Sequence, residues 1–160
     1  MVGKSIGKRE IISSFNSLSR DEKIELLHSW ILSLKEKPSK EIVPISIFDN
    51  DKLSTFEALV KYMKENLKLR FVVIASLLNR SDKTIWTTYN KARKKFPKEF
   101  DSVVSDINIP IDSFSDRKFT IFESLVAYLK NYGLTNHEIA VKLHRDDRTI
   151  WSVYDRAKKK

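Results

Sequence analysis

The sequence predicts an all-α fold, with an N-terminal helical segment followed by two copies of one three-helix unit. Three observations predict it. The chain reads IASLLNRSDKTIWTTYNKARKK around Trp86 and IAVKLHRDDRTIWSVYDRAKKK around Trp151. The likeness extends upstream, so that residues 44–66 align with 110–132 and 69–95 with 134–160, giving 23 identities in 50 positions. The apolar residues of both copies recur at helical spacing behind capping sequences. Two copies are too few for a solenoid, which needs about three. The reading is internal duplication of one small unit. It divides the chain into an N-terminal helical segment (1–43), repeat 1 (44–95), a linker (96–109) and repeat 2 (110–160). A unit of about 50 residues is near the lower limit for folding alone. The copies are therefore expected to pack on each other or on the N-terminal segment.

In the N-terminal segment, a short helix is expected from about Arg9 to Leu18, with Ile11, Phe15 and Leu18 on one side. Ser19-x-x-Glu22 is a capping box, in which a side chain and a backbone N–H satisfy each other reciprocally. It precedes a stripe of Ile24, Leu27, Ile31 and Leu34, with Trp30 beside it, running to about Lys37 before Pro38. This segment is read as a packing or dimerisation element.

Each repeat opens on a stretch expected to be extended, ending at Phe48 or Phe114, because proline disfavours helical backbone in the residue before it. Ser54-x-x-Glu57 and Thr120-x-x-Glu123 are capping boxes at equivalent places. The first helix of each unit then carries Phe56, Leu59, Val60 and Met63, or Phe122, Leu125, Val126 and Leu129, a core-facing pattern. Gly133 closes that helix in repeat 2, and Thr135-x-x-Glu138 starts the next. Repeat 1 has one residue more at this turn and no box, so a less defined helix start is expected there. Phe96-Pro97 ends the last helix of repeat 1.

The second and third helices carry the motif. Ala75 and Ala140 let them lie close, and Leu78 and Leu143 close the core under the turn. Ser81 and Asp146 are the expected N-caps. Ile85 and Ile150 pin the third helix, with Ala92 and Ala157 two turns on. This spacing is that of a helix-turn-helix in a three-helix DNA-binding unit. The run Ile-Ala-x-x-Leu-x-Arg-Ser/Asp-x-Lys/Arg-Thr-Ile resembles the helix-turn-helix of region 4 of bacterial sigma factors. It is also similar to those of response regulators and some transposases. The resemblance covers about 50 residues of each copy and implies a trihelical fold whose third helix enters the major groove. It does not imply sigma activity, because the rest of a sigma factor is missing. Most such motifs have glycine in the turn; here Asn79 and His144 stand there, two residue types that tolerate left-handed backbone.

If the third helix enters the groove, its outward residues are Asp82, Lys83, Trp86, Thr87 and Asn90 in repeat 1. In repeat 2 they are Asp147, Arg148, Trp151, Ser152 and Asp155. Lys83 and Arg148 suit guanine, Asn90 adenine, and the first-turn aspartates Asp82 and Asp147 cytosine N4. For the aspartates the favoured alternative is stabilisation of the helix dipole. Trp86 and Trp151 are candidates for stacking or wedging against DNA. Tryptophan is costly to leave exposed, however, so packing against a neighbouring helix, at the contact between the copies, is the expectation. Tyr89 and Tyr154 are expected to seal the core. Arg80, Lys91, Arg93, Lys94 and Lys95, with Arg145, Arg156, Lys158, Lys159 and Lys160, are assigned to phosphates, which position without specifying. The alternative for these cations is a solvated basic face. The groove-facing residues differ between copies, so the two units are expected to read different half-sites.

Charge supports a polyanionic partner. The chain is net +9, with +6 on residues 44–95, +3 on 110–160 and −2 on 96–109. A basic excess on the repeats suits nucleic acid. There is no cysteine, hence no disulfide and no thiolate metal site, which is consistent with a reducing cytoplasm. No apolar run reaches the roughly 18 residues of a membrane span, and the first residues lack the core of a signal peptide. His28, His137 and His144 do not stand at metal-ligand spacing, and three glycines build no phosphate-cradling loop. The expectation is a non-enzymatic, cofactor-free protein that binds double-stranded DNA in the cytoplasm, at the nucleoid, most simply as a transcriptional regulator. The alternatives are an architectural nucleoid protein and a module docking on RNA polymerase. Two assembly states fit: a monomer with an internal pseudo-dimer, or a homodimer through the N-terminal helices.

Overall fold

The computed structural model describes residues 8–35, 41–101 and 105–160. The chain divides into two units, Met1–Pro38 and Ser39–Lys160. In the first, α1 (Lys8–Asn16) and α2 (Arg20–Lys35) are joined by the Ser19 cap. Ser19 N donates to Glu22 at 2.8 Å and Glu22 N to Ser19 Oγ at 3.3 Å, the reciprocal pair the sequence predicts. Phe15 stacks on Trp30 with centroids 6.4 Å apart. Lys23 lies over Phe15 and donates to Asn16 O at 3.1 Å. Ile24 and Leu27, expected on a packing stripe, are exposed. The side chains of Ile11, Ile31 and Leu34, and the expected helix end at Lys37, lie outside the described residues.

The second unit runs β1 (Ile42–Pro44), a 3-10 turn (Ile45–Phe48), α3 (Thr55–Glu65), α4 (Phe71–Leu77) and α5 (Asp82–Lys95). It then repeats the order with β2 (Asn108–Pro110), a 3-10 turn (Ile111–Phe114), α6 (Ile121–Asn131), α7 (Asn136–Leu143) and α8 (Asp147–Lys158). The described residues are mostly helical, as expected. The opening stretches, however, are extended for only three residues each. Beyond Pro44 and Pro110 the chain turns into 3-10 geometry, in which side chains at i and i+3 eclipse. That brings Ile45 and Phe48, or Ile111 and Phe114, to the core together; a strand would send them to opposite faces.

Local sequence explains the helix starts. Ser54/Glu57, Thr120/Glu123 and Thr135/Glu138 all form complete capping boxes. Each cap contributes about 1 kcal/mol. α4 starts at Arg70 without a side-chain cap. The one-residue difference falls in the turn after the first helix, where Lys68 (φ 56°) and Gly133 (φ 105°) take left-handed backbone. α5 ends at Lys95, before Pro97.

The two copies pair through an internal dyad. β1 and β2 are antiparallel, with Val43 opposite Ile109. These are equivalent positions in the alignment, so a two-fold axis passes through that pair. The flanking hydrogen bonds obey it: Ile45 N donates to Ile107 O at 3.0 Å and Ile111 N to Glu41 O at 3.2 Å. The equivalent rings of Phe48 and Phe114 meet at 6.1 Å, and α3 packs against α6. One hydrophobic core spans both copies, including Val43, Ile47, Leu59, Ile109, Phe114 and Leu125. The linker is not a loose tether. Phe100 packs on Tyr62 and Phe96, Asn66 Nδ2 donates to Phe100 O at 3.0 Å, and Lys142 pairs with Asp106 at 2.8 Å.

Candidate nucleic-acid interface

The α4–α5 and α7–α8 turns are built alike. Asn79 and His144 hold φ of 50° and 51°, so each copy uses a left-handed residue without glycine. The next N–H, of Arg80 or Arg145, donates to Ala75 O or Ala140 O, both at 2.9 Å. Ser81 accepts from Thr84 N, and Asp146 from Arg148 N. Ala75, Leu78, Ile85 and Ala92, and their counterparts Ala140, Leu143, Ile150 and Ala157, are buried. These residues fix which face of α5 and α8 turns outward.

That outward face carries Lys83, Trp86, Thr87 and Asn90 on α5, and Arg148, Trp151, Ser152 and Asp155 on α8. Lys83, Thr87 and Arg148 are exposed, and Ser152 and Asp155 are half-buried. The tryptophans overturn the packing expectation: Trp86 is 58% and Trp151 62% exposed. The apolar pin at Ile85 or Ile150 takes the core-facing position, and the next residue, about 100° round the helix, is turned away from that core. Tyr89 and Tyr154 do the sealing. Tyr89 packs on Phe71 at 5.4 Å and donates to Glu65 at 3.1 Å. Lys130 and Lys158 lie over the Tyr154 ring.

Asn90 also departs from its expected role. Its Nδ2 is buried without a hydrogen-bond partner, so half of the amide is turned away from the face where a bidentate contact to adenine would form. Asp82 is exposed in the first turn of α5. Asp147 sits 3.1 Å from His137 Nδ1.

The cations separate into two groups. Lys83, Lys91, Arg93, Lys94, Arg148 and Lys158 are exposed and make no ion pair among the described residues. Lys95 and Lys160 are instead drawn back onto the capping glutamates. Lys95 Nζ is 2.8 Å from both oxygens of Glu57, and Lys160 Nζ is 2.6 Å from Glu123 Oε2. Arg156 lies 3.7 Å from Glu123, and Lys159 pairs with Asp155 at 2.6 Å. Burial raises the pKa of both glutamates, but the lysines and the Ser54 or Thr120 cap outweigh it, so each carboxyl stays below its ordinary value. Glu57 and Glu123 thus tie the start of the first helix to the end of the third. Sequence reasoning used them only as caps; their partners are 38 and 37 residues away. The available signal was that both members of each pair are identical between the copies.

Arg80 and Arg145 reach across the dyad. Arg80 donates to Phe119 O at 3.2 Å, and Arg145 to Asn50 O at 3.5 Å. Both are half-buried, so their backbone contacts to the other copy hold the two turns relative to each other.

No helix among the described residues is long and apolar enough to cross a membrane. No group of three metal-ligating side chains occurs among them. No protein family, curated protein or solved structure matches this chain.

Proposed function

We propose that this chain binds double-stranded DNA as a transcriptional regulator, placing α5 and α8 in the major groove as two helix-turn-helix units. One observation carries the reading. Two equivalent helices, each following a left-handed turn, present exposed Lys83, Trp86 and Thr87 on α5 and exposed Arg148 and Trp151 on α8, with Ser152 half-buried beside them. The strip Lys83-Trp86-Thr87 on α5 answers Arg148-Trp151-Ser152 on α8. Lys83 and Arg148 suit guanine edges. The unpaired cations Lys91, Arg93, Lys94 and Lys158 would hold phosphates. The internal dyad supports a monomer that acts as its own dimer. Two-fold symmetry in a reader is mirrored by two-fold symmetry in its site, so the half-sites are inverted. They are not identical, because α8 has Ser152 and Asp155 at the positions that correspond to Thr87 and Asn90 on α5.

Selection of bound duplexes from a random pool tests this. Enrichment of a bipartite inverted motif supports a regulator, and binding without enrichment supports an architectural role. The exposed tryptophans favour a second reading, a docking surface for a protein of the transcription machinery, since Trp is enriched at binding hot spots. That reading gains if the chain fails to bind duplex at low salt.

A further inference from the structure

The internal dyad makes two junctions that the alignment renders equivalent, yet their charges differ. At one, Arg145 meets residues 49–52 of the first repeat. It donates to Asn50 O and lies 4.0 Å from Asp51 Oδ1, while His144 Nδ1 is 3.5 Å from Asp49. At the other, Arg80 donates to Phe119 O of the second repeat and to Leu78 O and Asn79 O of its own turn, and shares a cleft with Arg117 and Lys118. The alignment sets Arg117 in the place of Asp51 and Ser115 in that of Asp49. Residues 49–52 are net −1, and residues 115–118 net +1. Arg145 therefore meets an acid where Arg80 meets a second guanidinium.

Nearby acids do not relieve this. Asp116 attracts Arg80, but its Oδ1 accepts from Lys118 N at 2.9 Å. Glu123 is engaged by Thr120 and Lys160. Partial burial and then repulsion by Arg117 lower the Arg80 pKa against the pull of Asp116. The side chains of Arg117 and Lys118 make no hydrogen bond or ion pair among the described residues. Arg80, Arg117, Lys118 and Lys160 line a cleft of about 560 Å³ between the beginnings of α3 and α6. Ser54 and Thr120, the caps of those two helices, also line it.

We infer that this cleft is a phosphate-binding seat, with Arg117 as its guanidinium donor and Lys118 and the backbone-held Arg80 adding charge. Guanidinium presents planar, paired N–H groups that match phosphate oxygens. A phosphate would replace at this junction the acid that Asp51 supplies at the other. The phosphate comes either from a nucleic-acid backbone or from a free phosphorylated molecule. The seat stands whether or not duplex DNA is the partner.

The test titrates the full chain with inorganic phosphate and pyrophosphate, followed by NMR, against sodium chloride at matched ionic strength. Saturable shifts at Arg80, Arg117 and Lys118 are expected, weakened at least tenfold in Arg117→Asp and severalfold in Arg117→Ala. Arg117 is exposed, so both variants should melt like the parent, which the same samples check. If Arg117→Asp also weakens duplex binding, the phosphate is that of the backbone. If it abolishes phosphate binding and spares duplex affinity, the ligand is a free phosphorylated molecule. Shifts that do not saturate, that chloride reproduces, or that survive Arg117→Asp overturn the seat. Failure of duplex binding alone overturns only the DNA reading.

Discussion

The salt dependence of duplex binding separates the structural account from the simpler count of basic residues. Neutralising Z phosphates on B-DNA gives a slope of log K against log salt of about −0.9Z. The ten cations the sequence assigns to phosphate, together with Lys83 and Arg148, would give a slope near −11. Six of those ten are already engaged. Lys95, Lys160 and Arg156 face Glu57 or Glu123, and Lys159 faces Asp155. Arg80 and Arg145 bond backbone across the dyad. With Lys83 and Arg148 given to base edges, Lys91, Arg93, Lys94 and Lys158 remain for phosphates, joined by Arg117 and Lys118 if their cleft takes a backbone phosphate, and four to six contacts set a slope of about −4 to −5. Affinity should then fall about a hundredfold to a thousandfold between roughly 50 and 200 mM salt. Fluorescence anisotropy with a labelled duplex measures it, and Lys91→Gln should make the slope shallower by about 1. A slope steeper than about −8 would mean that the paired lysines leave their glutamates for DNA. A slope shallower than about −2 would remove phosphate contact as the basis of binding.

Three further outcomes follow from particular residues. Because Trp86 and Trp151 are exposed, Trp→Ala at either should cost less than about 1.5 kcal/mol in denaturation, against about 3–5 for a buried aromatic, while weakening partner binding at least tenfold; a large loss of stability would mean that the rings are packed after all. Lys61 is fully buried, paired with Glu65 and lying over the Phe96 ring at 5.7 Å. Glu65→Gln should therefore cost about 3–5 kcal/mol by stranding the ammonium, and Lys61→Met with Glu65→Met should be nearly neutral, as urea melts would show. Glu57 and Glu123 have folded pKa values below their unfolded ones. Their stabilisation is thus complete above the unfolded value of about 4.3 and is lost as pH falls through the folded values. The melting temperature should drop below that pH, and less steeply in Glu57→Gln with Glu123→Gln; an unchanged acid limb would show that these pairs do not contribute.

What could be read from the sequence was what is local in the chain. The capping boxes, the left-handed Asn79 and His144, the turn at Gly133 and the pins Ile85 and Ile150 each depend on neighbours within four residues. Helical geometry then fixes where they point. Contacts over long sequence separation were not legible. The Val43–Ile109 pairing, the Lys95–Glu57 and Lys160–Glu123 closures and the crossing of Arg80 and Arg145 arise only once the copies meet about the dyad. The tryptophans misled for a related reason. The cost of exposing a ring is known from its type, but whether a helix lies beside it depends on tertiary arrangement. Asn90 is the converse case, a polar residue on the right face whose amide nitrogen the fold turns inward.

Selection of duplexes from a random pool by the full chain tests the central claim most directly. The dyad at Val43–Ile109 and the unlike faces of α5 and α8 predict a motif of two different half-sites in inverted orientation, with one half-site changing when Arg148 is replaced and the other when Lys83 is replaced. A pool without enrichment, or one enriched for half-sites in direct repeat, would contradict it.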